Sequence, residues 1–290
     1  MTAEEAVTSR EEAPFGAYPP SPFQNWARAR AGAMPDTWAG KRAAMLLRRI
    51  AGTKTGRPFD VAVFDAARAR LHPYDNNSEK RVYATPQFWD AAERAVLAEA
   101  IGSGTKDAFL FADIGANAGL YTLFAICAAR NAGRPLQVVA LEPEPTVRAR
   151  LTFNLKASNA EDAVTVLPWA ATDVARQLTF AVDTKNRGEN KIVSENAADA
   201  LTVEGRPLAD AFNAAGFSHV DAMKIDIEGA EAPALAALFD EKHKALWPRM
   251  IIMETFHDKG ADSALRLCLH HGYEIALQTK LNSILQQQGL

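Results

Sequence analysis

The sequence predicts an α/β fold, a mostly parallel sheet with helices on both faces that ends in an antiparallel C-terminal hairpin. Three observations carry that expectation. From Ala108 onward, apolar runs of strand length alternate with stretches of helical length. The first of these runs, AFLFADIG, ends in an acid and a glycine turn, the form of a strand that delivers a ligand-binding loop. The composition, 48% hydrophobic and 23% charged over 290 residues, is enough for a large core without metals or disulfides.

Along the chain, residues 1 to about 35 carry Pro14, Pro19, Pro20, Pro22 and Pro35 with few aliphatics, and predict an irregular or disordered arm. Asp36 reads as the N-cap of a helix to Ile50, with Trp38, Met45, Leu46 and Ile50 available for one apolar face. Eight basic residues and one acid, Asp36, lie between Arg28 and Arg57. The basic helix 36–50 is either a surface for an anionic substrate or membrane headgroup, or a helix packed on the core with its charges in water. Residues 1–57 therefore read as an extension and residues 58–290 as one domain.

That domain opens with FDVAVF, ARARLHPY and KRVYAT, which alternate as a small β-meander, and a helix is expected from about Pro86 to Ile101. The alternating part follows. Its strands are AFLFADIG, LQVVALEP, AVTVLPWAA, VDAMKIDI and RMIIMETF, with helices such as AGLYTLFAICAARNAG and TVRARLTFNLKASNA between them. YEIALQTKLNSILQ is the closing hairpin.

Several classes are disfavoured. A net charge of −3 argues against a general nucleic-acid binder. Two cysteines, Cys127 and Cys268, make neither a zinc site nor a Cys-x-x-Cys motif. The acidic N-terminus lacks the form of a signal peptide, no apolar run reaches the length of a membrane span, and the chain reads as cytosolic.

In such a sheet a ligand binds beyond the carboxyl ends of the strands. Asp113-Ile114-Gly115-Ala116-Asn117-Ala118-Gly119 departs from the G-x-G-x-x-G of a dinucleotide loop, because Asn117 and Leu120 stand where glycines are needed. Asp113 would also repel a pyrophosphate and suits a cationic ligand better. S-adenosylmethionine, with its ammonium and sulfonium, fits that description. Gly115 and Gly119 allow close backbone approach, and the helix start with Tyr121 and Thr122 can receive a carboxylate. Glu142, 23 residues beyond Gly119, stands where an acid grips ribose hydroxyls. Pro143 shapes its turn, and Trp169 or the backbone at Ala170 can lie against an adenine. Glu142 as a helix-capping acid and Trp169 as a core residue are the structural alternatives.

FADIGANAGLYTLFA, ALEPEPTVRARLTFNLKASNA, VLPWAATD, KIDIEGAE and PRMIIMETF together resemble the FkbM-type S-adenosylmethionine-dependent methyltransferases, in order from Phe109 to Phe256. The resemblance implies a class I, Rossmann-like methyltransferase fold and O-methylation, in that family often of hydroxyls on sugars, polyketides or other secondary metabolites. It is weaker before residue 70.

Methyl transfer to an alcohol needs alignment and a proton acceptor. Alternation puts Lys224, Asp226 and Glu228 on one side of their strand. Lys224 is expected to neutralise one carboxylate, Asp226 to lie nearest the methyl group, and Glu228 to support the following loop or cap its helix. His257 is a second candidate base or a solvated residue. Glu254 and His257 could join these acids around a cation, but nothing in the spacing requires it and no metal is assigned. Asn76, Asn77, Glu79, Lys80, the pair Phe88-Trp89, and the segment 186–191 are candidates for binding a hydroxylated small-molecule or glycan acceptor. A nicotinamide-dependent oxidoreductase and a non-catalytic binding module of the same fold are the alternatives.

Overall fold

The computed structural model describes residues 13–103, 107–181, 191–192, 200–255 and 263–288. Its centre is a seven-stranded sheet in the order β12-β13-β11-β10-β3-β4-β5. The strands are β3 (Phe109–Ile114), β4 (Leu136–Leu141), β5 (Val164–Leu167), β10 (Val220–Ile225), β11 (Pro248–Glu254), β12 (Tyr273–Gln278) and β13 (Asn282–Gln287). All neighbouring pairs from β11 to β5 are parallel, while β13 runs antiparallel to both β11 and β12. The hairpin thus contributes one antiparallel strand, inserted between β11 and the edge strand β12. This is the mostly parallel sheet with a C-terminal antiparallel hairpin that the sequence predicts.

Period-two alternation sends successive side chains into two cores. Phe109, Phe111, Val138, Ala140 and Ile252 enter the first, with α4 (Ala91–Gly102), α5 (Leu120–Ala132) and α6 (Pro145–Ala157). Leu110, Ala112, Ile114, Val139 and Ile251 enter the second, with α7 (Leu208–Ala214), α8 (Glu231–Leu238) and α9 (Ala264–His270). Ala27 and Ala51 from the N-terminal segment share the first core with the sheet.

Several local expectations are corrected. Residues 22–32 are not irregular but form α1 (Pro22–Gly32). Ser21 accepts from Gln24 N and Gln24 returns the bond, a capping box with proline in the first turn. The next helix, α2 (Trp38–Ile50), is capped by Thr37 rather than Asp36. Its apolar face is not a core face: Trp38 is 70% and Leu46 65% exposed, and Met45 and Ile50 are exposed too.

The expected meander is a two-stranded hairpin, β1 (Phe59–Val63) and β2 (Ala67–Leu71). KRVYAT belongs instead to α3 (Asn77–Ala84), because Asn76 caps the Glu79 N–H and starts a helix ahead of the alternating residues. The helix expected from Pro86 begins as a 3₁₀ turn at Pro86–Phe88 and restarts at Ala91 after Asp90, whose φ is +41°. The strand AVTVLPWAA breaks at Pro168, which lacks the N–H to continue the ladder. Beyond the break, β6 (Trp169–Ala171) joins a second sheet ordered β6-β9-β7-β8, with β7 (Arg176–Ala181), β8 (Lys191–Ile192) and β9 (Ala200–Arg206). Among the described residues no helix is long and apolar enough to cross a membrane.

The segment before α1 is held by a buried ion pair. Arg70, fully buried, bonds both oxygens of Asp60 at 2.7 and 3.0 Å and also reaches the carbonyls of Ala13 and Pro14. Asp60 in turn accepts from the backbone of Gly16 and Tyr18. Removing one partner strands the other charge without water. Asp60→Ala is expected to lower the unfolding free energy by about 3–5 kcal/mol, read by denaturant titration.

Candidate active site

Strand order reverses between β3 and β10, and the crevice beyond their carboxyl ends is where the sequence-predicted residues converge. The turn after β3 is tied to its neighbours by backbone. Gly115, at φ +76°, lies so close to β10 that a Cβ would stand 2.1 Å from the Asp226 carbonyl oxygen. The glycine is therefore required by contact between two loops. Gly119, at φ +79°, similarly leaves room for Leu151 of α6. Asn117 adopts φ +53° and donates its N–H to Glu142 Oε2 at 2.8 Å, and its own Oδ1 accepts from Ala118 N and from Asn76 Nδ2.

Asp113 is not an open anion. It is 1% exposed, and its Oδ2 accepts both the N–H and the hydroxyl of Thr122, at 3.0 and 2.6 Å. Burial raises its pKa, with Lys224 and Thr122 opposing. Thr122 is thus engaged with Asp113 and not with an incoming carboxylate. Tyr121 is committed as well, its hydroxyl donating to Asp90 Oδ2 at 3.1 Å. In the first turn of α5, Thr122 N–H serves Asp113 and Leu123 N–H serves Gly119 O, which leaves the N–H groups of Leu120 and Tyr121 for a ligand.

Glu142 is buried at the end of β4 and holds two N–H groups, those of Asn117 and Glu144. Burial pushes its pKa up to about 7, against the pull of these donors and of Arg148. Helix capping falls to Glu144, which accepts from Thr146 and Val147. Pro143 and Glu142 offer their carbonyls to Arg148. Glu142 N bonds Leu167 O, so the turn into Trp169 runs beside the acid. Trp169 is half-buried with the Arg206 guanidinium 5.5 Å from its ring, and Ala170 faces a small core with Leu178 and Val203.

At the end of β10, Lys224 Nζ donates to Asp226 Oδ2 at 2.8 Å, the pairing the sequence led us to expect. Burial disfavours the Lys224 charge, but Asp226, Asp113 and Asp90 outweigh it and hold the ammonium above its ordinary pKa. The loop after β10 is bonded by Glu231, an acid the sequence reading did not single out, which accepts from Ile227 N and Gly229 N at 2.8 and 2.9 Å. Glu228, at φ +55°, lines a polar cavity of about 380 Å³.

The same cavity is lined by the acids Asp226, Glu254 and Asp90 and by the cations Arg48, Lys80 and Arg81. Asn77, Trp89 and Asn282 complete it. Asn77, Lys80 and Trp89 are thus brought to the site, although Trp89 is 3% exposed and packs chiefly against Phe64 and Tyr121. Asn76 and Glu79 are not. Both are buried, Asn76 bridging the α3 cap and Asn117, and Glu79 paired with Arg150. His257 and residues 186–190 lie outside the described residues, as does the side chain of Lys191.

Asp90 was missed by sequence reasoning. Its pKa is raised by burial and by Glu93, against Lys224, Tyr121 and Arg81. The sign of a single acid just before a helix is that of a cap, and only the left-handed backbone at Asp90 turns it toward the cavity.

The model of the methyltransferase FkbM domain matches residues 113–275, more than half of the chain. A solved methyltransferase FkbM from Methylobacillus flagellatus KT is 18% identical, with 83% of this chain and 59% of that one covered and a TM-score of 0.43. The METTL16 MTase domain is 14% identical over 69% of this chain and 68% of its own, with a TM-score of 0.42. Precorrin-6y C5,15-methyltransferase from Geobacter metallireducens GS-15 is 16% identical over 66% and 84%, with a TM-score of 0.39. No curated protein matches the chain. The chain belongs to the FkbM methyltransferase family.

The raised pKa of Glu142 gives this turn a pH signature. Between the ordinary carboxyl value of 4.5 and about 7, the folded state holds a proton that the unfolded state has released. Stability contributed by this group is therefore full below pH 4.5 and falls as pH rises through 7, by an amount on the order of 3 kcal/mol at most. Glu142→Gln is expected to flatten that slope, seen as a difference between unfolding free energies at pH 5 and pH 8 that is smaller than in the wild type.

Proposed function

We propose that the chain is an S-adenosylmethionine-dependent O-methyltransferase that acts on a hydroxyl of a small-molecule or glycan acceptor, such as a sugar, a glycolipid or a secondary metabolite. The observation that carries this reading is the carboxylate-lined cavity at the switch point, where Asp226 stands beside the Gly115 loop. The two free thiols, Cys127 and Cys268, support placing it in the cytoplasm.

The donor set suits the cofactor. Glu142 is a buried carboxylate whose oxygens each accept only one N–H, so each has a lone pair left for a ribose hydroxyl. The N–H groups of Leu120 and Tyr121 suit the methionyl carboxylate. Trp169 borders the same turn and suits the adenine face. The Asp113, Asp90 and Asp226 carboxylates make the neighbourhood favourable to a sulfonium. Bound there, the cofactor supplies an electrophilic methyl group.

The remaining work belongs to the chain. Asp226 accepts the proton that the acceptor hydroxyl loses as its oxygen gains the methyl group. Lys224 fixes the Asp226 carboxylate in one orientation through its 2.8 Å bond. Glu228, Glu254 and Asp90 accept hydrogen bonds from further hydroxyls and so orient a polyol.

Calorimetry is expected to show binding of S-adenosylmethionine and none of NADH, and the reverse result would sink the methyl-transfer reading. With labelled S-adenosylmethionine and fractionated cell extract, one fraction takes up label. Asp226→Asn lowers that turnover by roughly 10²–10⁴-fold while leaving cofactor affinity within about threefold of wild type. Equal losses in both would instead make Asp226 a binding residue.

A further inference from the structure

The cavity lining holds cations as well as carboxylates, and the cationic group has no part in the reaction described above. Arg48 comes from α2, and Lys80 and Arg81 come from α3, so this group is built by the N-terminal helices and not by the sheet. None of the three forms an ion pair with a carboxylate among the described residues, and the recorded side-chain partner of Lys80 is the neutral Asn77 Oδ1, at 3.0 Å. Like charges act on them, although Asp75 lies near Lys80 and Asp90 near Arg81. Arg48 is held below its ordinary pKa by burial, then by Arg81 and Arg49. Lys80 is lowered by burial, then by Arg48 and Lys54, with Asp75 opposing. Three half-buried or exposed cations that line one cavity and repel one another are stabilised by an oxyanion bound among them. A single carboxylate neutralises one of them; a phosphate monoester, close to two charges at neutral pH, matches the cluster better.

Resting on the methyl-transfer reading, we infer that the acceptor carries a phosphoryl group, which Arg48, Lys80 and Arg81 hold while the carboxylates of the same cavity receive its hydroxyls. The enzyme then methylates a phosphorylated polyol or sugar, and its position is downstream of a phosphoryl- or glycosyl-phosphate transfer.

The test titrates inorganic phosphate into the full-length protein by calorimetry at constant ionic strength, with acetate as the singly charged comparison and S-adenosylmethionine as a parallel titration. Wild type is expected to bind phosphate at one site and acetate at least about tenfold more weakly. The double variant Arg48→Ala/Lys80→Ala weakens phosphate by about tenfold or more, without loss of cofactor affinity. Lys41→Ala/Arg42→Ala, which removes two cations of α2 outside the cavity, keeps wild-type phosphate affinity. Cofactor binding without phosphate binding overturns the phosphoryl subsite alone. Equal losses in the two double variants also overturn it, since attraction is then a property of the whole basic surface. Phosphate binding without cofactor binding overturns the methyl-transfer reading, and with it the assignment of this site to an acceptor.

Discussion

A buried guanidinium on α6 holds the molecule's two halves together. Arg150 is fully buried and bonds Asp75 through two nitrogens at 3.0 and 2.7 Å and Glu79 at 3.0 Å. Such a charge is tolerated in a core only when paired, and here both acids, bonded through Nη1 and Nη2, come from the segment that precedes the sheet. The same helix face continues the grip at four-residue intervals. Asn154 accepts from Arg70 N and donates to Ala118 O, and Ser158 both accepts from and donates to the backbone of Arg68. Side chains of α6 thus pair with the open edge of β2 as a third strand would. Because Asn154 reaches Ala118 as well, the hairpin and the loop after β3 are fixed to one element.

From that anchor a chain of bonds runs into the site. Asn76 lies between the two acids that Arg150 holds, its amide bonds Asn117, and Asn117 N–H bonds Glu142. On the other side of the crevice, Lys224 lies among Asp113, Asp226 and Asp90 and pairs with Asp226. It permits three carboxylates to share a partly dry space, and the close contact of Gly115 with the Asp226 carbonyl removes the slack by which they could separate. Binding and chemistry therefore rest on one preorganised floor, which is how a site limits the rearrangement a reaction would otherwise need.

The sheet and its loops were legible in the sequence because strand alternation and the DIGAN and KIDIEGAE segments are local signals. What was lost depended on partners far along the chain. Glu228 and Glu231 look equivalent in KIDIEGAE, yet Glu231 takes the two N–H groups of the loop while Glu228, in a left-handed turn, lines the cavity. Asn76, Glu79 and Lys80 read alike as polar loop residues, yet an Arg about 70 residues onward decides that Glu79 is buried. Thr122 appeared available at a helix start because Asp113 was read as facing a ligand and not the helix. Other misses were local signals passed over. Ser21-x-x-Gln24 is a capping box in plain view, and Pro168 marks where a strand must leave its ladder.

The charge layout follows from this construction. Strand ends that face a crevice carry acids, because the parallel sheet brings the ends of β3, β4, β10 and β11 together at one edge. Cations cannot be added there without pairing off those acids, as Lys224 already does with Asp226. The cations of the cavity come from outside the sheet, from α2 and α3, and among the described residues Arg48, Lys80 and Arg81 form no ion pair. The positions of Lys80 and Arg81 depend on Arg150, which fixes the start of α3 through Asp75 and Glu79. The net charge of −3 thus hides a cavity whose lining carries both signs. On the proposed reading, the cations of that cavity bind an anion and its carboxylates take up a proton.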